Sequence, residues 1–365
     1  MSVLKSVTMA ARLEASVLKS KFKGCLLGAL IGDCTGSPYE GDTITHGDKL
    51  IIQRYYDKLE DPSFTAPFKS YTDDTAMTKS VAKFLTDKPE PDYKFLARLF
   101  VNEYFKEPRR GYGEGVVEVF HKLKNSKFAD VYKPASEQFL GAGSFGNGGA
   151  MRVAPIALYF YDNYKAMLEV ATNATRLTHT HFLGVHGALL QAVAIDLALK
   201  FNPNVKINPE RFCAELFRRI RKIERIDEDT DEIDERDYSR KAYQEKLKVV
   251  EYLLGKKHDD ELDEEVILTL GNGISAYESV PTAIYCFLKS LQEIPSIQTD
   301  NIFRRTIQYA VTLGGDTDTI ASMAGAIAGA YLGEEAVNPY LAKHCEFSKE
   351  IAEMAENLYA AKVKP

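Results

Sequence analysis

The chain has 365 residues, of which 45% are hydrophobic, so it is long and apolar enough to bury a sizeable core. Its 52 acidic and 46 basic residues leave a net charge of -6, which argues against an extended basic surface, and no direct DNA binding is expected. The five cysteines are scattered and form no Cys-x-x-Cys pair, so neither a disulfide framework nor a thiolate zinc site is predicted, and a reducing intracellular compartment fits.

The N-terminal segment is basic and has apolar residues at helical spacing. Within residues 1–23 the only acid is Glu14, a composition typical both of an organelle presequence and of an ordinary amphipathic first helix. We treat residues 1–20 as an extension that serves targeting or is disordered. Residues 21–365 are predicted to form one domain, because no internal repeat and no Pro/Gly/Ser-rich linker divides them.

Most of the chain from residue 14 onward shows helical periodicity. One example is the apolar set Tyr93, Leu96, Ala97, Phe100, Val101 and Tyr104. Few stretches alternate as strands do, and helical patterns between Gly, Pro and Asn residues indicate an all-α bundle with functional loops. No run approaches the ~20 consecutive apolar residues that a membrane-spanning helix needs, so no membrane association is expected.

A densely acidic segment lies at residues 224–237 (ERIDEDTDEIDERD). Three of its aspartates match the first, third and fifth positions of a calcium-binding EF-hand loop. The sixth position holds Glu232 where the turn needs glycine, and the twelfth holds Tyr238 where a bidentate glutamate belongs. We therefore interpret the segment as a solvated surface excursion.

Two short motifs concentrate aspartates where helical patterns begin. TDDT at residues 72–75 precedes a helical run, and two adjacent aspartates are more than helix capping needs, so they indicate a cation between them. GGDTDT at residues 314–319 combines a flexible turn with Asp316 and Asp318, which converge only in a loop or at a helix start. The helix that follows is rich in small residues, so we expect a buried spine that another backbone approaches closely.

The two motifs supply four aspartates and several threonine oxygens, without the histidine or cysteine that zinc favours. Such hard oxygen ligands suit Mg²⁺, and their number matches two ions better than one. An upstream loop at residues 32–40 ends in Glu40, whose carboxylate either points into the same cleft or is simply exposed. The sequence therefore predicts a cleft that holds two Mg²⁺ ions.

A glycine-rich segment, GAGSFGNGGAMR at residues 141–152, formally contains the GxGxxG fingerprint of dinucleotide-binding folds. That fingerprint requires a preceding strand and an acid about twenty residues on, and the sequence pattern offers neither. The property that remains is a run of backbone N–H groups suited to a phosphate or pyrophosphate. Phe139 and Phe145 beside it either stack on a base or belong to the core.

Taken in order, these motifs resemble those of the ADP-ribosylglycohydrolase family. The resemblance runs from about Phe22 to Gly333 and includes LTH at residues 177–179 and GNG at residues 271–273. It implies an all-α orthogonal helical bundle with a binuclear Mg²⁺ cleft. Residues 271–285 are more similar to the vertebrate serine-directed branch, which implies release of ADP-ribose from serine-modified proteins, from poly(ADP-ribose) and from O-acetyl-ADP-ribose.

The resemblance also implies roles for individual residues. The metal ligands would be Glu40, Thr72, Asp73, Asp74, Asp316, Asp318 and Thr319. The substrate contacts, with Phe139 included for its place beside the glycines, would be Asp73, Phe139, Ala142, Gly143, Ser144, Phe145, Gly146, Asn147, Gly148, His179 and Ile274. For catalysis we expect Asp73 or Asp74 to steer the attacking water and Glu40, on a movable flap, to control access or proton transfer. Many relatives are expected to have Tyr at position 145, so affinity rather than chemistry is in question there.

The expected partners are ADP-ribosylated proteins and poly(ADP-ribose). The protein is expected to be a monomer. Its expected location is the nucleus and cytoplasm or the mitochondrial matrix. Three alternatives stay open. An ADP-ribosylarginine hydrolase would share the metals and differ in the leaving group. A non-catalytic, crystallin-like relative would bind ADP-ribose without turnover, although intact aspartates at both motifs speak against it. A Mg²⁺-dependent phosphoester hydrolase would release phosphate without free ADP-ribose.

Overall fold

The computed structural model describes residues 14–88, 90–226 and 241–363. Within these ranges helices are joined by loops and 3₁₀ turns, with two isolated β-bridges and no β-strand, which confirms the predicted all-α fold. The helices are α1 (Ala15–Gly36), α2 (His46–Glu60), α3 (Asp73–Asp87), α4 (Tyr93–Lys106), α5 (Glu114–Asn125), α6 (Lys133–Ser136), α7 (Ala154–Tyr159), α8 (Tyr164–Arg176), α9 (Phe182–Lys200), α10 (Pro209–Ile226), α11 (Ala242–Leu254), α12 (Asp260–Thr269), α13 (Ala276–Lys289), α14 (Ile302–Thr312), α15 (Thr317–Leu332), α16 (Pro339–Lys343) and α17 (Ser348–Val363). Most of the predicted N-terminal extension and of the acidic segment lies outside the described residues.

Helices α1 and α15 pack with their backbones in close contact. A Cβ atom at Gly28 would lie 2.1 Å from the carbonyl oxygen of Gly325, and one at Gly32 would lie 2.2 Å from that of Ala321. Only glycine permits such an approach. The expected buried spine is therefore confirmed, and its close partner is α1, whose glycines recur on one face at Gly24, Gly28, Gly32 and Gly36.

Helix α9 lies in the core among α8, α13 and α15. By length and mean hydropathy (1.7) it qualifies as a membrane span, yet 89% of its apolar window is buried inside the fold, as in the core helix of a soluble protein. One contiguous core extends from Leu18 in α1 to Leu358 in α17. The boundary expected after residue 20 falls inside helix α1, and Leu18, within the expected extension, is buried in the core.

The fold places one cleft, with a volume of about 300 Å³, where α3 and α15 begin. Parts of the loops before α2, before α5, between α6 and α7, and before α13 also line it. The starts of α3 and α15 supply Asp73, Asp316 and Asp318, the loop before α2 supplies Glu40, and the other loops with the start of α5 supply most of the rest.

Candidate active site

The start of α3 presents two aspartates that are not needed as caps. Thr72 is the N-cap, and its hydroxyl accepts a hydrogen bond from the Asp74 N–H at 3.3 Å. The carboxylate of Asp33, in α1, accepts from the N–H groups of Thr72 and Thr75 at 2.9 and 3.1 Å. Because the first three N–H groups of the helix donate in turn to Arg110 O, to Thr72 and to Asp33, the carboxylates of Asp73 and Asp74 are available for another role.

The start of α15 directs the carboxylate of its N-cap residue, Asp316, away from capping. Gly315 has a left-handed φ of 73°, which turns the chain into the helix. Asp316 occupies the N-cap position but its side chain makes no cap hydrogen bond, and its Oδ2 accepts from Asn147 Nδ2 at 2.5 Å instead. The Asp318 carboxylate accepts from the N–H of Thr319 at 2.8 Å.

The two helix starts meet in one acidic cluster. The hydroxyl of Thr319 donates to Asp74 Oδ2 at 3.1 Å, which links α15 to α3. Glu40, Asp316 and Asp318 each place one carboxylate oxygen within 4.8 Å of the other two. The structure therefore brings together Glu40 and both aspartate motifs. The side chains that line the cleft itself are those of Glu40, Asp73, Asp316, Asp318 and Thr319, whereas Thr72 and Asp74 are buried beneath that wall.

Burial makes this cluster electrostatically costly. It raises the pKa of Asp33 and of Asp318 to about 7, with neighbouring aspartate charges adding to the effect. For Asp73 and Asp74, burial and then the charge of Asp318 raise the pKa well above its ordinary value. Glu40 is more exposed, and partial burial followed by the charge of Asp318 raises its pKa as well. A cation would relieve this repulsion.

A second wall of the cleft is the glycine-rich segment, which meets the acidic cluster at the hydrogen bond between Asn147 and Asp316. It follows the short helix α6 and the 3₁₀ turn Gln138–Gly141 rather than a strand, so the dinucleotide-binding interpretation is excluded. Of its predicted contacts, those that line the cleft are Ser144, Gly146, Asn147 and Gly148; Ala142, Gly143 and Phe145 are not among the lining residues. Residues 274–276 fix the backbone of the segment. The N–H of Asn147 donates to Ile274 O and that of Ala276 donates to Phe145 O, both at 3.0 Å.

Internal hydrogen bonds reduce the number of backbone N–H groups in this segment that are available to a phosphate. Six of the N–H groups of residues 141–152 are already donated within the protein, namely those of Ala142, Gly143, Gly146, Asn147, Ala150 and Met151. A phosphate contact therefore falls on the remaining N–H groups of the segment and on the hydroxyl of Ser144. That hydroxyl accepts from Gly146 N at 3.2 Å and keeps its own hydrogen to donate.

His179 lies beside the glycine-rich segment and lines the cleft. A Cβ atom at Gly148 would lie 2.7 Å from the imidazole Cε1. Burial, and secondly the charge of Arg152, lower the pKa of His179 to about 3, so the ring is neutral at physiological pH. His179 therefore contributes a neutral hydrogen-bonding group to this wall.

Apolar side chains form the rim. Phe139 and Ile274 line the cleft and are 62% and 73% exposed, and Phe145 is 51% exposed. The ring of Phe145 meets that of His181 edge-on, with centroids 5.6 Å apart. Phe139 has a left-handed φ of 50°, which is uncommon for an aromatic residue. Their exposure shows that Phe139 and Phe145 are not ordinary core residues.

The sequence did not predict one wall of the cleft, which residues 111–116 (GYGEGV) form. Gly111 faces Asp73, since a Cβ there would lie 3.6 Å from Asp73 Oδ1. The alternating glycines of this segment were the available signal. Further lining residues without a predicted role are Met77, Gln138, Met151 and Arg152. The role of Asp33 was also missed, because residues 32–36 were expected to lie in a loop and instead continue helix α1.

Comparison with known proteins bears on this geometry. A family model described as ADP-ribosylglycohydrolase matches residues 14–365. ADP-ribosylhydrolase ARH3 of Mus musculus is 44% identical over 347 residues, covering 93% of this chain and 91% of the relative; that of Homo sapiens is 43% identical and covers 93% of each. A solved structure named ADP-ribosylglycohydrolase-related protein complex has a TM-score of 0.64, covers 95% of this chain and 100% of that chain, and at 19% identity supports the fold alone.

The chain belongs to the ADP-ribosylglycohydrolase family. Within that family it is an ADP-ribosyl hydrolase, a glycosidase whose substrates carry ADP-ribose. The family is metal-dependent, and the acidic cluster around Glu40, Asp316 and Asp318 is the place in the described residues where a metal ion fits.

Proposed function

We propose that the chain is a Mg²⁺-dependent hydrolase that releases ADP-ribose from serine-modified proteins and also hydrolyses poly(ADP-ribose) and O-acetyl-ADP-ribose. One observation carries the proposal: an acidic cluster on two helix starts and a glycine-rich segment line the same cleft. The serine preference is supported by residues 271–285, which resemble the serine-directed branch of the family.

The acidic side of the cleft fits two Mg²⁺ ions. Its donors are carboxylate and hydroxyl oxygens, which Mg²⁺ prefers. Asp74 Oδ1 is buried and accepts no hydrogen bond from the described residues, so a cation would satisfy it. We assign ligation to Glu40, Thr72, Asp73, Asp74, Asp316, Asp318 and Thr319. When bound, the ions supply Lewis-acid polarisation and lower the pKa of a coordinated water.

The acidic residues of the chain have separate roles in orienting the water, in proton transfer and in stabilising charge. Asp73 lines the cleft and, with Asp74 behind it, orients the attacking water by accepting its hydrogen bonds. Glu40 is exposed where it lines the cleft, a position that suits its carboxylate to control access or proton transfer there. Breaking the glycosidic bond develops positive charge at the anomeric carbon, which the surrounding carboxylates stabilise.

The glycine-rich wall binds the diphosphate and the base of ADP-ribose. The Ser144 hydroxyl and the remaining backbone N–H groups donate to the diphosphate, and His179 adds a neutral contact. Phe139 and Phe145 offer exposed aromatic faces for the base, with Ile274 at the rim.

The test is incubation of the purified chain with a serine-ADP-ribosylated peptide, with Mg²⁺ and separately with EDTA, scoring free ADP-ribose by mass spectrometry. An arginine-linked peptide of the same sequence is the matched control. The expected result is release that requires Mg²⁺ and serine linkage. Release from arginine alone, phosphate without ADP-ribose, or tight ADP-ribose binding without turnover would each overturn the proposal in favour of a different activity.

A further inference from the structure

A buried chain of polar contacts ends at His179. Arg152 Nη2 donates to the hydroxyl of Thr178 at 2.7 Å, and that hydroxyl lies 2.7 Å from His179 Nδ1. All three side chains are at most 8% exposed. The position of Arg152 is fixed further, because Nη2 also donates to Ala174 O at 3.2 Å and its guanidinium lies 4.5 Å from the ring centroid of Phe100.

The direction of each hydrogen bond in this chain follows from donor chemistry. A guanidinium only donates, so the Thr178 oxygen accepts from Arg152 and retains one hydrogen of its own. Two acceptors are within reach of that hydrogen, His179 Nδ1 at 2.7 Å and Thr175 O at 3.4 Å. The shorter bond is the stronger, and the nearby guanidinium charge makes the hydroxyl a better donor while it repels a hydrogen on Nδ1. Nδ1 is therefore the acceptor.

The other ring nitrogen faces the glycine-rich wall. A Cβ atom at Gly148 would lie 3.1 Å from His179 Nε2, and one at Gly146 would lie 3.4 Å from it. In a neutral imidazole that accepts at Nδ1, the hydrogen is on Nε2. An N–H on this edge attracts a phosphate oxygen, whereas the other tautomer would present a lone pair and repel it.

We propose that Arg152 and Thr178 are positioning residues that hold His179 as the Nε2–H tautomer, so that it donates a hydrogen bond to the diphosphate of ADP-ribose. This inference rests on the proposed function for the identity of the ligand. It assigns no contact with the reacting bond to any of the three residues, so their effect falls on KM rather than on kcat.

The first experiment reads the tautomer without substrate. In the full chain labelled with ¹⁵N-histidine, the ring nitrogens that carry hydrogen and those that do not are well separated in nitrogen chemical shift. His179 is assigned by the signal lost in His179→Asn. The wild type should carry its hydrogen on Nε2, and Thr178→Val, which removes the hydroxyl at nearly constant volume, should lose that preference. A hydrogen on Nδ1 in the wild type overturns the proposal.

The second experiment measures turnover of the serine-linked peptide. Thr178→Val should raise KM about tenfold with kcat changed less than about twofold, since a hydrogen bond to a charged group is weakened. Thr178→Ser should restore both the spectrum and KM. Thr306→Val is the matched control, because it removes another fully buried hydroxyl that bonds within α14, away from the cleft. It should leave the His179 signal and KM unchanged.

Two outcomes separate the inference from the proposed function. If Thr178→Val keeps the wild-type spectrum and KM, or if Thr178→Ser fails to rescue, the positioning role is overturned. If the wild type shows the Nε2 hydrogen but neither binds nor hydrolyses ADP-ribose substrates, the proposed function fails, and with it the assignment of the diphosphate as ligand.

Discussion

The two walls of the cleft are built on different physical principles. The acidic wall uses side chains at two helix starts, which are buried, mutually repelling and fixed by the close packing of α1 on α15. The glycine-rich wall uses a loop whose backbone is held by residues 274–276, and the neutral side chain of His179 lies beside that loop. The first wall concentrates negative charge that a metal ion would balance, and the second offers directed hydrogen-bond donors, with Arg152 as the one charged side chain of residues 141–152.

This difference predicts that substitutions on the two walls fail differently. On the acidic wall, loss of one carboxylate removes a ligand for which no neighbour can substitute. On the glycine-rich wall, several donors and rings share the ligand, so single losses weaken binding without stopping turnover. The predictions below test that contrast from the largest expected effect to the smallest.

Asp316→Ala should abolish metal binding and lower kcat/KM on the order of 1000-fold or more, because Asp316 belongs to both the carboxylate cluster and the bond to Asn147. Calorimetric titration with Mg²⁺ and initial rates on the serine-linked peptide measure the two effects. Asp87→Ala is the control, since Asp87 ends α3 at the surface and pairs with Lys83. Near-normal turnover by Asp316→Ala would exclude the two-metal scheme.

Gly32→Ala should lower the free energy of unfolding by about 3 kcal/mol, because the added Cβ would lie 2.2 Å from the carbonyl oxygen of Ala321. Chemical denaturation monitored by circular dichroism measures it. Gly47→Ala provides the comparison, since its Cβ would meet nothing closer than Thr45 Oγ1 at 3.7 Å and should change stability by less than about 0.5 kcal/mol. Equal effects of the two would show that α1 and α15 are not packed as described.

The metal-free protein should lose thermal stability as pH rises from about 4 to about 7. Asp33 and Asp318 have an ordinary pKa of 3.8 that burial raises to about 7, so the folded state binds more protons than the unfolded state in that window. Their contribution is present below the unfolded pKa and lost above the folded one. Thermal melts in EDTA across this range measure the slope, and Mg²⁺ should restore the midpoint at pH 8. A midpoint that rises with pH in EDTA would contradict the assigned shifts.

The acidic wall was also the easier of the two to predict from sequence. Paired aspartates beside threonines have few structural explanations, so residues 72–75 and 314–319 indicated a shared cation site before their contact through Thr319 and Asp74 was known. Helical periodicity likewise predicted the all-α fold. Residues 111–116 were not predicted, because three glycines with Tyr112, Glu114 and Val116 match no ligand or capping pattern, and their place in the cleft depends on the tertiary fold.

The glycine-rich wall shows why sequence alone overstates a site. Every glycine from residue 141 to 149 looked equally able to expose an N–H group, yet internal hydrogen bonds engage four of the N–H groups there. Which donors remain depends on partners distant in sequence, such as Ile274. The coupling of Arg152 through Thr178 to His179 is also a tertiary feature, since it joins residues 26 positions apart.

Phe145→Ala should give the smallest of these effects, a rise in KM of about tenfold with kcat nearly unchanged. The ring is half exposed and supported edge-on by His181, so its removal costs one stacking surface, worth roughly 1–2 kcal/mol, and no catalytic group. Steady-state kinetics on the serine-linked peptide and ADP-ribose titration measure it. Phe68→Ala removes another exposed ring, one that lies outside the glycine-rich segment, and serves as the control.

Phe145→Tyr sharpens the same test, because it keeps the aromatic face and adds the hydroxyl expected in many relatives. If stacking carries the contact, Tyr should change KM by less than about threefold in either direction. A tenfold gain in affinity from Tyr would mean that the hydroxyl bonds the ligand. A loss of kcat in Phe145→Ala comparable to that of Asp316→Ala would instead show that the two walls act as one unit, which the contrast between them does not allow.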